Sequence, residues 1–198
     1  MLNLTENEAR VMDFLVRNIK ERYNINQLAK KLILSPMGAY KVLKKLEKAN
    51  AIKAEKIGNA IYYKANLNEE VGSKLAELVL LQNEFSNTTA KVYANDLKKL
   101  KDLAESCILF GSVIKAGKEA NDIDVIIIIK EKYHKKIKKE LEDIKSISTK
   151  KIHDLIMTKE DFVNNLRKNN VTMLDMLKYG QILWGAEIIV GAIKNGSS

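Results

Sequence analysis

Apolar residues recur along this chain with two different periods, and the switches between them mark out its elements. Near the start, Val11, Leu15 and Ile19 follow one another at helical spacing behind Thr5 and Glu8, which have the Thr-x-x-Glu spacing of a capping box. The pattern predicts a helix from about residue 6 to 21. Asn26 is placed to cap a short second helix carrying Leu28 and Leu32. Ser35 is placed to cap a third, with Pro36 at the first helical position, where the missing N–H of proline costs nothing. In that third helix Ala39, Val42, Leu43 and Leu46 share one face and are expected to be buried. Two short strands follow, about 51–57 and 60–65, joined by Gly58-Asn59, a hairpin-turn pair. Helical spacing then returns in Val71, Leu75, Leu78, Val79 and Leu81. It returns again in Ala90, Tyr93, Leu97 and Leu100, after the turn-prone residues Ser86 to Thr89.

Beyond residue 103 the pattern changes once more. Cys107 to Phe110 is a short apolar run ending in Gly111-Ser112. Val125 to Ile129 are five consecutive β-branched residues, too few for a helix and suited to a strand buried on both faces. Tyr133, Ile137, Leu141 and Ile144 predict an amphipathic helix over the sheet, followed by a strand containing Asp154. Helices near 159–168 and 173–179 precede a closing strand in QILWGAEIIVGAI, where Trp184 is expected to pack in the core. The chain is therefore expected to be α+β. Three helices with a hairpin would occupy 1–67, a helical linker or pair of dimerisation helices 68–103, and a mixed β-sheet flanked by helices 104–198.

Composition narrows the function classes. A 198-residue chain with 46% hydrophobic and 30% charged residues can bury a core, so wholesale disorder is not expected. No run reaches the ~18 apolar residues of a membrane span, and the start lacks a basic-then-apolar leader pattern. The single Cys107 can form no internal disulfide, which fits a reducing cytoplasm. His134 and His153 have no Cys or His neighbour at ligand spacing, so zinc is not expected. The formal charge of +9 favours polyanionic partners.

The densest chemistry lies between Gly111 and Asp124. Side chains two apart on a strand point the same way, so Asp122 and Asp124 share a face at the start of the buried strand. Two carboxylates that close repel unless a cation stands between them, and magnesium, with its preference for oxygen ligands, is the usual solution. Gly111 permits close approach of backbone to a ligand. Ser112 offers a hydroxyl and an N–H where a phosphate would sit. Phe110-Gly111-Ser112 followed by Asp122-Ile123-Asp124-Val125 resembles the signature of the polymerase-beta-like nucleotidyltransferase superfamily, most of all its minimal nucleotidyltransferase branch, over roughly residues 104–185. The resemblance implies that Asp122 and Asp124 ligate magnesium in a two-metal site and that Gly111 and Ser112 hold the triphosphate. It also implies a third carboxylate on a following strand, for which Asp154 has the expected spacing. Leu183-Trp184-Gly185 matches the family's closing strand. The segment after Gly-Ser departs from the usual Ala-Arg-Gly or Ala-Lys-Gly, leaving Lys115 as the residue expected to serve a phosphate.

In the N-terminal part, Lys41, Lys44, Lys45 and Lys48 form a basic ridge beside the buried stripe of the third helix. Three helices and a hairpin in this order resemble a winged helix-turn-helix domain of prokaryotic repressors. That resemblance implies a third helix in the major groove of double-stranded DNA, with Ser35, Met37, Tyr40 and the four lysines on the DNA side and a Gly58-Asn59 wing on the backbone. Mostly phosphate-directed lysines imply salt-sensitive binding with modest sequence discrimination. Such proteins bind paired half-sites, so a homodimer is expected.

Taken together, the two resemblances imply a cytoplasmic DNA-binding protein that transfers a nucleotidyl group from a nucleoside triphosphate, ATP first among them, to an acceptor hydroxyl, with a role in transcription regulation. Two other readings remain open at this point. The second domain only senses a nucleotide or has lost its activity, or the chain is antitoxin-like and modifies a partner protein.

Overall fold

The computed structural model describes residues 4–82, 85 and 87–196. The chain forms two compact units, the first running to Leu80 and the second from Leu81 to Gly196. The architecture is α+β, and the described residues form one three-stranded and one four-stranded sheet.

The first unit opens with α1 (Glu6–Arg17). Its start is fixed reciprocally: the Thr5 hydroxyl accepts from the Glu8 N–H at 3.4 Å, and the Glu8 carboxylate accepts from the Thr5 N–H at 3.1 Å. A two-residue strand, β1 (Tyr23–Asn24), leads directly into α2 (Ile25–Leu32). The cap of α2 is Asn24 rather than the expected Asn26, because the pairing of Tyr23 and Asn24 with a later strand delivers the chain to the helix two residues early. Asn24 and Gln27 form a second capping box. Next comes α3 (Pro36–Lys48), where the Ser35 hydroxyl accepts from the Gly38 N–H at 3.0 Å. Such caps are worth about 1 kcal/mol each. The strands β2 (Ile52–Ile57) and β3 (Ala60–Ala65) complete an antiparallel sheet in the order β1-β3-β2. Ile57 pairs with Ala60, leaving Gly58-Asn59 as a two-residue turn. Gly58 has φ +59°, the left-handed value a primed hairpin turn requires. Finally α4 (Glu70–Leu80) packs on α1. Val11, Met12, Leu15, Leu28, Leu43 and Leu46 are all buried.

The second unit runs through α5 (Thr88–Leu97), β4 (Ala104–Phe110), the single-turn α6 (Val113–Ala116), β5 (Asp122–Ile129) and α7 (His134–Ile147). It continues with β6 (Lys151–Thr158), α8 (Lys159–Arg167), α9 (Val171–Tyr179), β7 (Gln181–Trp184) and α10 (Ala186–Gly196). The strand order is β6-β5-β4-β7, with β5 and β6 parallel through the α7 crossover and the other pairs antiparallel. Val125 to Ile129 are all buried, as their unbroken β-branched run predicts. Ile123, Val125, Ile127 and Ile129 face a core with Tyr93, Leu97, Ile137, Leu141 and Ile144 from α5 and α7. The alternate residues of β5 and β4 face the other layer, α8, α9 and α10. Trp184 is buried, and its indole N–H donates to the Ala104 carbonyl at 3.0 Å.

The helices expected to form a linker over 68–103 do not form one. Each buries its apolar face in a different unit: Leu75, Val79 and Leu80 of α4 in the first, Ala90, Tyr93 and Leu97 of α5 in the second. Ser86, at the expected turn before α5, lies outside the described residues. Among the described residues no helix is long and apolar enough to cross a membrane.

Candidate functional site

Strand β5 begins at Asp122, so Asp122 and Asp124 project from the sheet on the face opposite Ile123 and Val125. Both are partly exposed where the strand emerges from the core. Burial first, and then the charge of Asp122, hold the Asp124 carboxyl above the ordinary aspartate range, with His153 opposing them. An ionised pair here is a strained charge arrangement that a cation would relieve.

The neighbour that the fold supplies is His153, which sequence reading set aside. In the parallel β5–β6 ladder Asp124 is in register with His153, and Val125 with Asp154. The His153 Nδ1 stands 3.6 Å from Asp122 Oδ2 and 3.6 Å from Asp124 Oδ1. Asp154 falls on the other face of the sheet, under α7, where its carboxylate pairs with the Lys145 ammonium at 2.7 Å. The expectation that Asp154 is the third carboxylate is corrected by this register: a displacement of one residue along a strand moves a side chain to the opposite face. The alternation Ile152, Asp154, Ile156 was the available signal, since Ile152 belongs to the α7-side core and Ile156 packs against it.

Gly111 and Ser112 stand beside Asp124. Phe110 pairs with Asp124 across β4–β5, and Gly111 turns the chain out of the strand at φ +78°. A Cβ on Gly111 would lie 2.0 Å from Asp124 Oδ2, so only glycine allows the carboxylate to rest against this turn. Ser112 is exposed, and its side chain makes no capping hydrogen bond to α6. Lys115, on α6, holds its Nζ 4.9 Å from the centre of the Tyr179 ring.

The described residues bring two carboxylates together here, Asp122 and Asp124, and not a third. Among the described residues no three His, Cys, Asp or Glu side chains form a group able to hold a metal. Magnesium is commonly held by one or two carboxylates together with substrate phosphates and water, and Asp122 with Asp124 meets that requirement. A three-carboxylate, two-metal arrangement is not made by the residues expected to make it.

In the first unit, α3 buries Ala39, Leu43 and Leu46 and exposes Met37, Tyr40, Lys41, Lys44 and Lys48. Met37 is 63% and Tyr40 48% exposed, which are high values for large apolar groups and leave two of them standing among ammonium groups. The lysines are not equivalent. Lys44 bonds Glu47 at 2.8 Å within the helix, and Lys45 pairs with the buried Glu8 at 2.9 Å. Lys45 therefore ties α3 to α1, and among the described residues Lys41 and Lys48 have no carboxylate partner. Ser35 is engaged as the helix cap. At the end of the hairpin Lys56, Gly58 and Asn59 are exposed.

No family model matches the chain, and no curated protein matches its sequence. Among solved structures, a mutant form of ZitR from Lactococcus lactis is similar over 73% of this chain and 75% of that chain, with 17% sequence identity and a TM-score of 0.34.

Proposed function

We propose that this protein is a DNA-binding regulator whose second unit binds a nucleoside triphosphate through a divalent cation. The observation that carries the DNA reading is the outer face of α3, where Met37, Tyr40, Lys41, Lys44 and Lys48 stand exposed behind a capped helix start. An α-helix of that kind fits the major groove, with ammonium groups meeting phosphates and the two larger side chains reaching base edges. The Gly58-Asn59 turn approaches the backbone as a wing, and the protein acts as a homodimer on paired half-sites.

In the second unit Asp122 and Asp124 take the cation, ATP being the first nucleotide to try, and the Gly111-Ser112 turn takes the phosphates. Nucleotide binding is the part of the resemblance to nucleotidyltransferases that these residues support. Transfer to an acceptor also requires a third carboxylate, and Asp154 is turned away from the pair.

Anisotropy of a labelled duplex of random sequence tests the DNA reading. The wild-type chain should bind with an affinity that falls steeply with salt. A Lys41→Ala, Lys48→Ala double variant should bind more weakly with a flatter log–log salt slope, each lost phosphate contact removing about 0.9 from it. Equal affinity and slope in the two proteins would refute the assignment of α3.

A further inference from the structure

We infer that Tyr179 and Lys115 form the second wall of the nucleotide site, the ring stacking on the base and the ammonium meeting the polyphosphate. The inference rests on the nucleotide reading above: Lys115 is the residue the sequence already offers to a phosphate, and Tyr179 is the new member of the site.

The sheet brings Tyr179 to this end of the second unit. In the antiparallel β4–β7 pair Ile108 is in register with Ile182 and Leu109 with Gln181. Followed back by one residue, the chain reaches Gly180 beside Phe110, and a Cβ there would stand 3.3 Å from that of Phe110. Tyr179, the last residue of α9, therefore lies at the end of β4 from which Gly111 leads out. Its helix buries Met173, Met176 and Leu177, while the Tyr179 ring is left 52% exposed. The Nζ of Lys115 lies 4.9 Å and that of Lys178 5.7 Å from the ring centre.

Two clusters of opposite charge thus flank one glycine turn. On one side Asp122 and Asp124 have His153 as their neighbour, and on the other Lys115 and Lys178 crowd an aromatic face. A cation–polyphosphate complex has both signs in the matching order, the metal toward the carboxylates and the phosphates toward the ammonium groups. A π face beside the phosphates is where a nucleobase would lie, and stacking tolerates any base. Tyr179 therefore contributes affinity for the nucleoside and little choice among bases.

Calorimetric titration of the full chain distinguishes the two walls, with magnesium and either each of the four common ribonucleoside triphosphates or inorganic tripolyphosphate as the probe. Tyr179→Ala should weaken the triphosphates about tenfold or more and leave tripolyphosphate within about twofold, with Tyr179→Phe close to wild type. Lys115→Gln should weaken nucleotide and tripolyphosphate by the same factor. Thermal melts of each variant without ligand verify folding. Unchanged nucleotide affinity in Tyr179→Ala, in a protein whose binding is lost in Asp124→Asn, would overturn the inference alone. Failure of the wild type to bind any of the five probes would overturn both it and the nucleotide reading.

Discussion

The Nδ1 of His153 lies 3.6 Å from Asp124 Oδ1, in register across the parallel β5–β6 pair. That relationship decides which residues of β6 belong to the carboxylate site, because the next residue, Asp154, is carried to the other face and bonded to Lys145. Asp124→Asn and Asp154→Asn are therefore expected to differ in kind. Without ligand, Asp154→Asn should lose at most about 1 kcal/mol, the scale of a partly exposed ion pair. A magnesium–triphosphate complex at a hundred times its dissociation constant should stabilise the wild type and Asp154→Asn by about 2.7 kcal/mol and leave Asp124→Asn unmoved. Thermal melts with and without the complex check this, and loss of the shift in Asp154→Asn would return that residue to the site.

The Asp124 carboxyl is held above its ordinary range by burial and by Asp122. Above that raised folded value the ionised group costs stability, and the cost is relieved as pH falls through it toward and below the unfolded value. Asp124→Asn should accordingly melt a few degrees higher than wild type at neutral pH, with the gap closing in acid. Melting curves across that range provide the measurement, and a gap independent of pH would contradict the account.

Gly111 combines φ +78° with a carboxylate where its Cβ would be. Gly111→Ala should lose about 1 to 2 kcal/mol from the left-handed backbone alone, and more from the collision with Asp124. The double variant Gly111→Ala, Asp124→Ala should recover part of the loss, since it removes the collision but not the strain. Urea unfolding of the wild type, Gly111→Ala, Asp124→Ala and the double variant tests this, and strict additivity of the two single changes would show that they do not touch.

On α3 the lysines separate by role. The Glu8 carboxyl is raised by burial, but bonds from Lys45 and Thr5 outweigh this and leave it below the ordinary glutamate range. Lys45→Ala strands that buried carboxylate and should cost about 1 to 3 kcal/mol, whereas exposed Lys41→Ala should stay within about 0.5 kcal/mol. The contribution of Glu8 is present above its unfolded value and is lost as pH falls through the depressed folded value. The Lys45→Ala penalty should fade over the same acid range. Denaturant melts at neutral and acid pH check both statements, and equal stability of the two variants at neutral pH would contradict the pairing.

Local patterns alone established much of this protein. The Thr5 and Ser35 caps, the Gly58-Asn59 turn, the buried face of α3 and the buried run Val125 to Ile129 within β5 follow from hydrogen-bonding groups and periodicity within a dozen residues, and the structure has them, with Val42 of α3 only half-buried. So does the shared face of Asp122 and Asp124, because alternation along one strand needs no partner. What the sequence could not contain was the register between strands. Whether His153 or Asp154 meets Asp124 is set by the register of β6 along β5, and in the register adopted Ile152 and Ile156 lie on the side of the α7 core. The same is true of Asn24, made a cap by the pairing of β1 with β3, and of Lys45, whose partner Glu8 lies 37 positions away in sequence. Tyr179 is brought to Lys115 and the Gly111 end of β4 by the pairing of β7 with β4. Contacts across such separations depend on how whole faces pack, and no local spacing encodes them.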